Sequence, residues 1–444
     1  MEKNMTSEIK VEVTQEEIIR PSSPTPHHLR SSNLSVFDQL TPQVYVSVLL
    51  FYPSNNSDSH SLAAERSKIL KRSLSEVLTH FYPFAGTIQS KDVSICCNDH
   101  GAKFFEARVN CPMSQVFDKP DLGMLKQLHP SAIESVAGTC HLLLVQANFF
   151  ECGGMAIVVN ISHKLIDAYT LCKFINSWSA ISLSSASADH VVPPVEFGAA
   201  ASLFPPLDFL SSTRSSIGFV KYNCITKRFV FDASKIATLK LKAASATVPN
   251  PTRVEVVSAL IWKCAMEASR SNSSVIRPSV WCQFVNMRKI LPRSPAENLL
   301  GNLVGYSVAK TEEIEVEHDL GSLVFKLRRG FEELKVKYGN GMSSEDVFQQ
   351  FNELGKLIGK VDIDNYCLTS WCRFPFYEAD FGWGKPSWLS NIPSTAELKN
   401  MISLVDVSDG IGIEARLTLK EEDMAVIESN EELLAYASLN PCVV

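Results

Sequence analysis

In the run Asn160-Ile-Ser-His163-Lys-Leu-Ile-Asp167, two residue types stand at a spacing that could do chemistry. A neutral imidazole held in one place can take the proton of a substrate hydroxyl or amine as that atom attacks, which is the task of a general base. The carboxylate of Asp167, one helical turn further on, can pair with a cation or cap a helix. The flanking elements would hold both groups firmly. Met155 to Ile161 is short, apolar and β-branched, the pattern of a buried strand. Leu171, Phe174, Ile175 and Trp178 then recur at helical spacing. His163 therefore stands where a strand gives way to a helix, with Asp167 at the helix start. The same residues also describe a packed core histidine beside an ordinary cap, and this stretch alone favours that plainer reading.

Three further places invite a chemical reading. Ser279 to Asn286 reads as a second buried strand, and it delivers Asn286-Met-Arg288 at its end. A guanidinium leaving a core strand needs a carboxylate, and Asp167 is the candidate partner. Thr252-Arg-Val-Glu255 matches a capping box, in which Thr252 and Glu255 satisfy the first free N–H groups of a helix reaching about Ala268. Such an N-terminus attracts anions and Arg253 suits phosphate, although an ordinary cap with a surface arginine is the commoner meaning. Asp380-Phe-Gly-Trp-Gly384 alternates glycine with aromatic rings, a tight backbone path and not a nucleotide loop. Cys172 is read as a packing thiol.

The whole chain sets the frame for these groups. Its 444 residues, 45% hydrophobic, can bury ample core, and the length suggests about two or three domains. A net charge of −6 and a pI near 6.0 argue against a nucleic-acid surface. The first residues lack the apolar core of a signal peptide, and no run of roughly 18 apolar residues occurs, so a cytoplasmic protein with no membrane partner is expected. The twelve cysteines show no metal-ligand spacing and are read as reduced thiols, with no metal site.

In order, residues 1–33 read as an extended lead-in, Val44 to Tyr52 as a strand and Ser61 to His80 as an amphipathic helix. Ser94 to Asp99 and Lys103 to Val109 read as paired strands, and His141 to Ile161 as a hairpin aimed at His163. Prolines and serines over 183–220 suggest a crossover. Beyond it come the strand Lys227 to Phe231, the helix Ser234 to Ala244, a strand Leu299 to Ala309 containing Gly301-Asn302, and helices at about 317–336 and 344–358. A strand-like Asn365 to Arg373 precedes the hairpin Met401 to Leu419, and a helix Glu421 to Ser438 closes the chain. The repeated order of hairpin then helix implies two similarly built α/β lobes, with a histidine carried by the first alone.

His163-x-x-x-Asp167 near one third of the chain and Asp380-Phe-Gly-Trp-Gly384 near its end coincide with Phe81-Tyr-Pro-Phe-Ala-Gly86, Ser258-Ala-Leu-Ile-Trp-Lys263, Asn286-Met-Arg288 and Gly301-Asn302. On these motifs the chain resembles, over essentially its full length, the plant BAHD acyl-CoA-dependent acyltransferases, and within them the alkaloid-acetyltransferase branch that contains vinorine synthase. The resemblance implies an α/β fold of two chloramphenicol-acetyltransferase-like lobes, each a mixed sheet flanked by helices, with a channel between them. It sets the lobes at 1–182 and 221–444, the crossover at 183–220, and a segment near 380–400 packed with the first lobe.

The resemblance makes His163 the general base and reverses the plainer reading of that residue. It leaves Asp167, paired with Arg288, and the run Asp380, Phe381, Gly382, Trp383 and Gly384 as architecture. It marks Thr369, Ser370 and Trp371 as channel or oxyanion candidates and Thr252 and Arg253 as contacts for CoA. The implied reaction is acetyl transfer from acetyl-CoA, a co-substrate and not a bound cofactor, to a hydroxyl of an alkaloid or terpenoid, by a monomer. An amide-forming N-acyltransferase and a non-catalytic acyl-CoA-binding homologue are the alternatives.

Overall fold

Most of the strands and helices follow the apolar periodicities of the chain. The computed structural model describes residues 9–54, 59–89, 94–131, 141–184, 195, 197–212, 223–292, 298–312, 319–392 and 398–443. Its first half runs β1 (Val11–Ile19), β2 (Ser31–Asn33), α1 (Val36–Leu40), β3 (Tyr45–Tyr52) and α2 (Ser59–His80). There follow β4 (Thr87–Ile88), β5 (Ser94–Cys96), β6 (Ala102–Val109), α3 (Met113–Asp118), α4 (Leu122–Gln127), β7 (Leu143–Phe150), β8 (Met155–Ser162) and α5 (Ala168–Ser184). After α6 (Ala199–Leu203) the second half runs β9 (Cys224–Phe231), α7 (Ala233–Ala243), α8 (Arg253–Ser273), β10 (Ser279–Asn286), β11 (Val304–Thr311), α9 (Leu320–Tyr338) and α10 (Ser344–Ile358). It ends with β12 (Asp364–Ser370), β13 (Trp388–Ser390), β14 (Met401–Asp406), β15 (Ile413–Lys420), α11 (Glu421–Ile427), α12 (Glu431–Leu434) and β16 (Ser438–Leu439).

Two mixed sheets organise these elements. The first has the order β1-β6-β7-β8-β3-β13 and the second β11-β10-β12-β14-β15-β9-β16. The pairs β6–β7, β10–β12 and β12–β14 are parallel. Helices α2 and α5 bury Leu74, Val77, Phe174 and Trp178 against Val48, Val145, Ile157 and Val159 on one face of the first sheet. Helix α8 buries Leu260 and Trp262 against the Ile402, Leu404 and Leu417 face of the second. Strand β13 is contributed late in the chain yet pairs with β3, so the segment near 388–390 completes the first sheet.

Several expectations change. The lead-in contains β1, an edge strand with Glu12, Val13 and Glu16 exposed, so no apolar alternation announces it. Strands β5 and β6 do not pair with each other: β5 joins β2 and β4 in a small separate sheet, and β6 lies between β1 and β7. The turn between them takes positive φ at Asp99 (55°) and Gly101 (100°), with Asp99 accepting from Thr25. Gly301-Asn302 precedes β11 because Gly301 at φ +99° leaves extended geometry. The closing helix is two short helices, since Asn430 caps α12 by accepting from the Leu433 N–H. Within 183–220 there are α6 and a 3-10 turn at Asp208–Ser212, while 185–194, with Pro193-Pro194, and 213–220 lie outside the described residues.

Candidate active site

The hairpin β7–β8 ends at Ser162, and the chain turns there through His163 into α5. The His163 N–H donates to the Val44 carbonyl (2.8 Å), which ties the turn to the start of β3. The imidazole Nδ1 lies 2.7 Å from the carbonyl oxygen of Ile166. A carbonyl only accepts, so Nδ1 carries the hydrogen and Nε2 is the basic nitrogen. Burial lowers the imidazole pKa; the Ile166 carbonyl, Asp167 and the Asn302 side chain pull it back up without restoring it. The ring is therefore neutral at pH 7 and able to take a proton at Nε2.

Asp167 points away from this chemistry. One of its oxygens accepts from the Thr170 N–H (2.9 Å), the cap of α5, and the other from Arg288 Nη1 (2.6 Å) and the Leu303 N–H (3.1 Å). Arg288 is fully committed as well. Its Nε donates to Leu299 O, Nη1 also to Asn286 Oδ1, and Nη2 to Gly301 O and Thr170 Oγ1, at 2.9 to 3.2 Å. Its guanidinium carbon lies 4.5 Å from the Tyr169 ring centroid. Both charges are buried, and a buried ion pair of this kind stands only because the remaining donors and acceptors are matched.

A second clamp was not foreseen as a unit. Ser35 and Asp38 form a capping box on α1, and the other Asp38 oxygen accepts from both the N–H and the Nδ2 of Asn302 (2.9 and 2.8 Å). Asn302 Nδ2 also donates to the His163 carbonyl oxygen (2.6 Å). Burial raises the pKa of Asp38, against the pull of these hydrogen bonds. The Ser-x-x-Asp spacing could have announced the cap, but its reach to Asn302 depends on the tertiary fold. Residues 288 and 301–303 of the second half thus hold the histidine turn of the first.

The remaining singled-out residues lie elsewhere. Asp380 Oδ1 accepts from the Gly382 and Gly384 N–H groups (2.8 and 3.0 Å), both glycines at positive φ. Phe381 meets Trp178 edge-on at 4.9 Å and stacks with Trp383, which lies under Arg66. This loop packs on α2 and α5, on the sheet face opposite Ser162 and Asn160. Thr369 and Ser370 end β12; Thr369 registers with Ser403, and Trp371 stacks on Phe376 at 5.4 Å. Thr252 caps α8 with Glu255 in the expected box, and Arg253 Nη2 donates to Asp406 (3.0 Å) and Nη1 to Gly410 O (3.1 Å). The Cys172 thiol is buried and its pKa pushed up to about 12 by desolvation. Among the described residues Cys264, Glu267 and Glu432 cluster closely enough to bind a metal, but Glu432 there is paired with Lys263 and Lys242.

A neutral imidazole on a clamped turn, with Nε2 as its basic nitrogen, can accept and return a proton. Residues 9–434 match the model described as the Transferase family. Akuammiline synthase 1 of Alstonia scholaris is 41% identical over 95% of this chain and 96% of its own length. A limonoid 1-O-acetyltransferase of Citrus sinensis is 37% identical over 96% and 98%. The crystal structure of vinorine synthase superposes with a TM-score of 0.82 at 34% identity, covering 97% of this chain and 99% of that one. The chain belongs to the BAHD family of acyl-CoA-dependent acyltransferases, which act on plant specialised metabolites. No helix among the described residues is long and apolar enough to cross a membrane.

Proposed function

We propose that this enzyme transfers an acetyl group from acetyl-CoA to a hydroxyl of an alkaloid or terpenoid, with His163 as the general base in a complex of all three molecules. The observation that carries this reading is the bond from His163 Nδ1 to the Ile166 carbonyl, which leaves Nε2 neutral and basic. Nε2 takes the hydroxyl proton as the oxygen attacks the thioester carbonyl. Thr369, Ser370 and the Trp371 indole are the candidate donors to the oxyanion. The imidazolium returns its proton to the departing CoA sulfur, and no acyl-enzyme forms.

Asp167, Arg288 and the run Asp380 to Gly384 serve as architecture in this reading. The lobes span 1–182 and 221–444 with a channel between them, reached by CoA past Thr252 and Arg253. Arg253 would then share its guanidinium between Asp406 and a CoA phosphate. The likeness to a limonoid 1-O-acetyltransferase supports the acetyl donor and hydroxyl acceptor.

The test is CoA thiol release from acetyl-CoA by the purified protein against pooled alkaloid, limonoid, phenolic and amine acceptors, with mass spectrometry of the products. An ester heavier by one acetyl group, absent with His163→Ala, is expected. An amide product would move the enzyme to the N-acyltransferases. Acyl-CoA that binds without any turnover would leave only a binding protein.

A further inference from the structure

The first sheet has a second face, opposite α2 and α5, on which buried polar side chains gather. Side chains alternate along strands, so register decides which of them share it. Gln146, Val158, Leu49 and Ser390 form one row across β7, β8, β3 and β13. The next row toward His163 holds Asn160 and Ser47, and the one after it Ser162. Gln146, Asn160, Ser162 and Ser390 are each at most 1% exposed. On all four a polar atom is without a partner: Gln146 Oε1, Asn160 Nδ2, Ser162 Oγ and Ser390 Oγ. Half-buried His129, just after α4, adds its enclosed Nε2.

The bonds that are made fix what each free atom can do. Asn160 Oδ1 accepts from Ser47 Oγ (2.6 Å) and from His129 Nδ1 (3.2 Å). Asn160 Nδ2 is then a pure donor and His129 Nε2 a pure acceptor. Burial lowers the His129 pKa to about 4, so that ring is neutral. Gln146 Nε2 is spent on Leu128 O (2.8 Å) and Asn148 Oδ1 (2.9 Å), which leaves Oε1 as an acceptor. None of these five side chains is charged. So many unpaired buried groups on one face is unusual, since each costs stability unless something occupies it.

We propose that this face is a second recognition site for the acceptor, one that binds an uncharged hydroxyl, carbonyl or amide group on the molecule being acylated. Asn160 donates to that group, and His129 or Gln146 accepts from it where it carries a hydrogen. The proposal rests on the acyl-transfer reading of His163. Asn160 lies three residues before His163 along β8, roughly 10 Å of strand, so the recognised group sits at about that remove from the attacking oxygen. The site therefore selects acceptors with two polar groups over those with one.

The test uses acetyl-CoA with alkanediols carrying a hydroxyl at each end, from butanediol to decanediol, against the matching monoalcohols. Wild-type protein is expected to prefer the diol in kcat/KM, after correction for its two equivalent hydroxyls, by roughly threefold to tenfold at the length that spans the site. Asn160→Asp keeps an acceptor for Ser47 and His129 and removes the amide donor; His129→Phe removes the ring nitrogens. In both variants the diol preference should vanish through the acceptor KM, with the KM for acetyl-CoA unchanged. A preference that persists in both, or a loss of melting temperature with both KM values rising together, would overturn the site. Should wild-type protein turn over none of these simple alcohols, the pooled acceptors named above decide the acyl-transfer reading. In that case a crystal structure soaked with hexanediol still decides the site: a diol hydroxyl on Asn160 Nδ2 supports it, and protein groups bonded to Asn160 Nδ2 and His129 Nε2 exclude it.

Discussion

Two buried polar regions flank His163, and they are built on opposite terms. Toward the second half, the Asp167 oxygens accept three bonds and Arg288 spends every N–H it has. Asp38 is likewise bonded on both oxygens. Among the described residues, the one buried side-chain atom left over there is Asn302 Oδ1. On the face that β8 shares with β3, β7 and β13 the terms reverse, and donors and acceptors stand unpaired. Matched groups hold a shape, because any rearrangement strands a charge. Unmatched groups hold a place for something else. Mutations on the two sides should therefore fail in different ways.

The largest effect is expected at Arg288→Ala, which leaves Asp167 buried and unpaired. Unfolding experiments should show a loss of about 3–5 kcal/mol, and activity should fall with the folded population. A double-mutant cycle with Asp167→Ala should give strong coupling, and independent effects would dissolve the contrast between the two sides.

Asn302→Ala is a smaller and sharper case, since it frees the His163 carbonyl while the Arg288 bonds remain. Its stability loss should be on the order of 1–3 kcal/mol. Its kcat should fall by roughly tenfold to a hundredfold through a misplaced imidazole. A kcat unchanged beside that loss of stability would make Asn302 mere packing.

These expectations mark how far the sequence could be read. The pairing of Asp167 with Arg288 was legible because Arg288 leaves an apolar strand, where a buried guanidinium needs a carboxylate, and Asp167 stands at the start of the helix that follows another. The Thr252–Glu255 box was legible because capping is local. Asp38 and Asn302 were not, since their contact spans |i−j| = 264 and depends on Gly301 leaving the strand. The unpaired face was hidden for the same reason. Asn160 and Ser162 were in view, but only the registers of β3, β7 and β13 place Ser47, Gln146 and Ser390 beside them. Strand β1 escaped because an exposed edge carries no apolar period, and the β5–β6 turn because it passes between two sheets.

A further effect lies in the pH dependence of stability. The folded protein holds His129 near pKa 4, against about 6.5 for an unfolded histidine. As pH falls the unfolded chain therefore binds the proton first. Stability present above pH ~6.5 is lost toward pH 4, and the loss levels off below that. Denaturant unfolding of His129→Phe should show a shallower decline across that window, and an unchanged slope would mean that the ring is not held neutral by its burial.

The central claim is that the clamped, neutral His163 is the base, and its most direct test is acetyl transfer by wild-type protein and His163→Ala on the same acceptor, with melting temperatures taken on the same samples. For His163→Ala a turnover lower by roughly a hundredfold to ten-thousandfold is expected, with the fold intact. The wild-type kcat/KM should rise with pH through an acid limb below the ordinary imidazole value and then stay level. Near-wild-type turnover by His163→Ala would remove His163 from the chemistry.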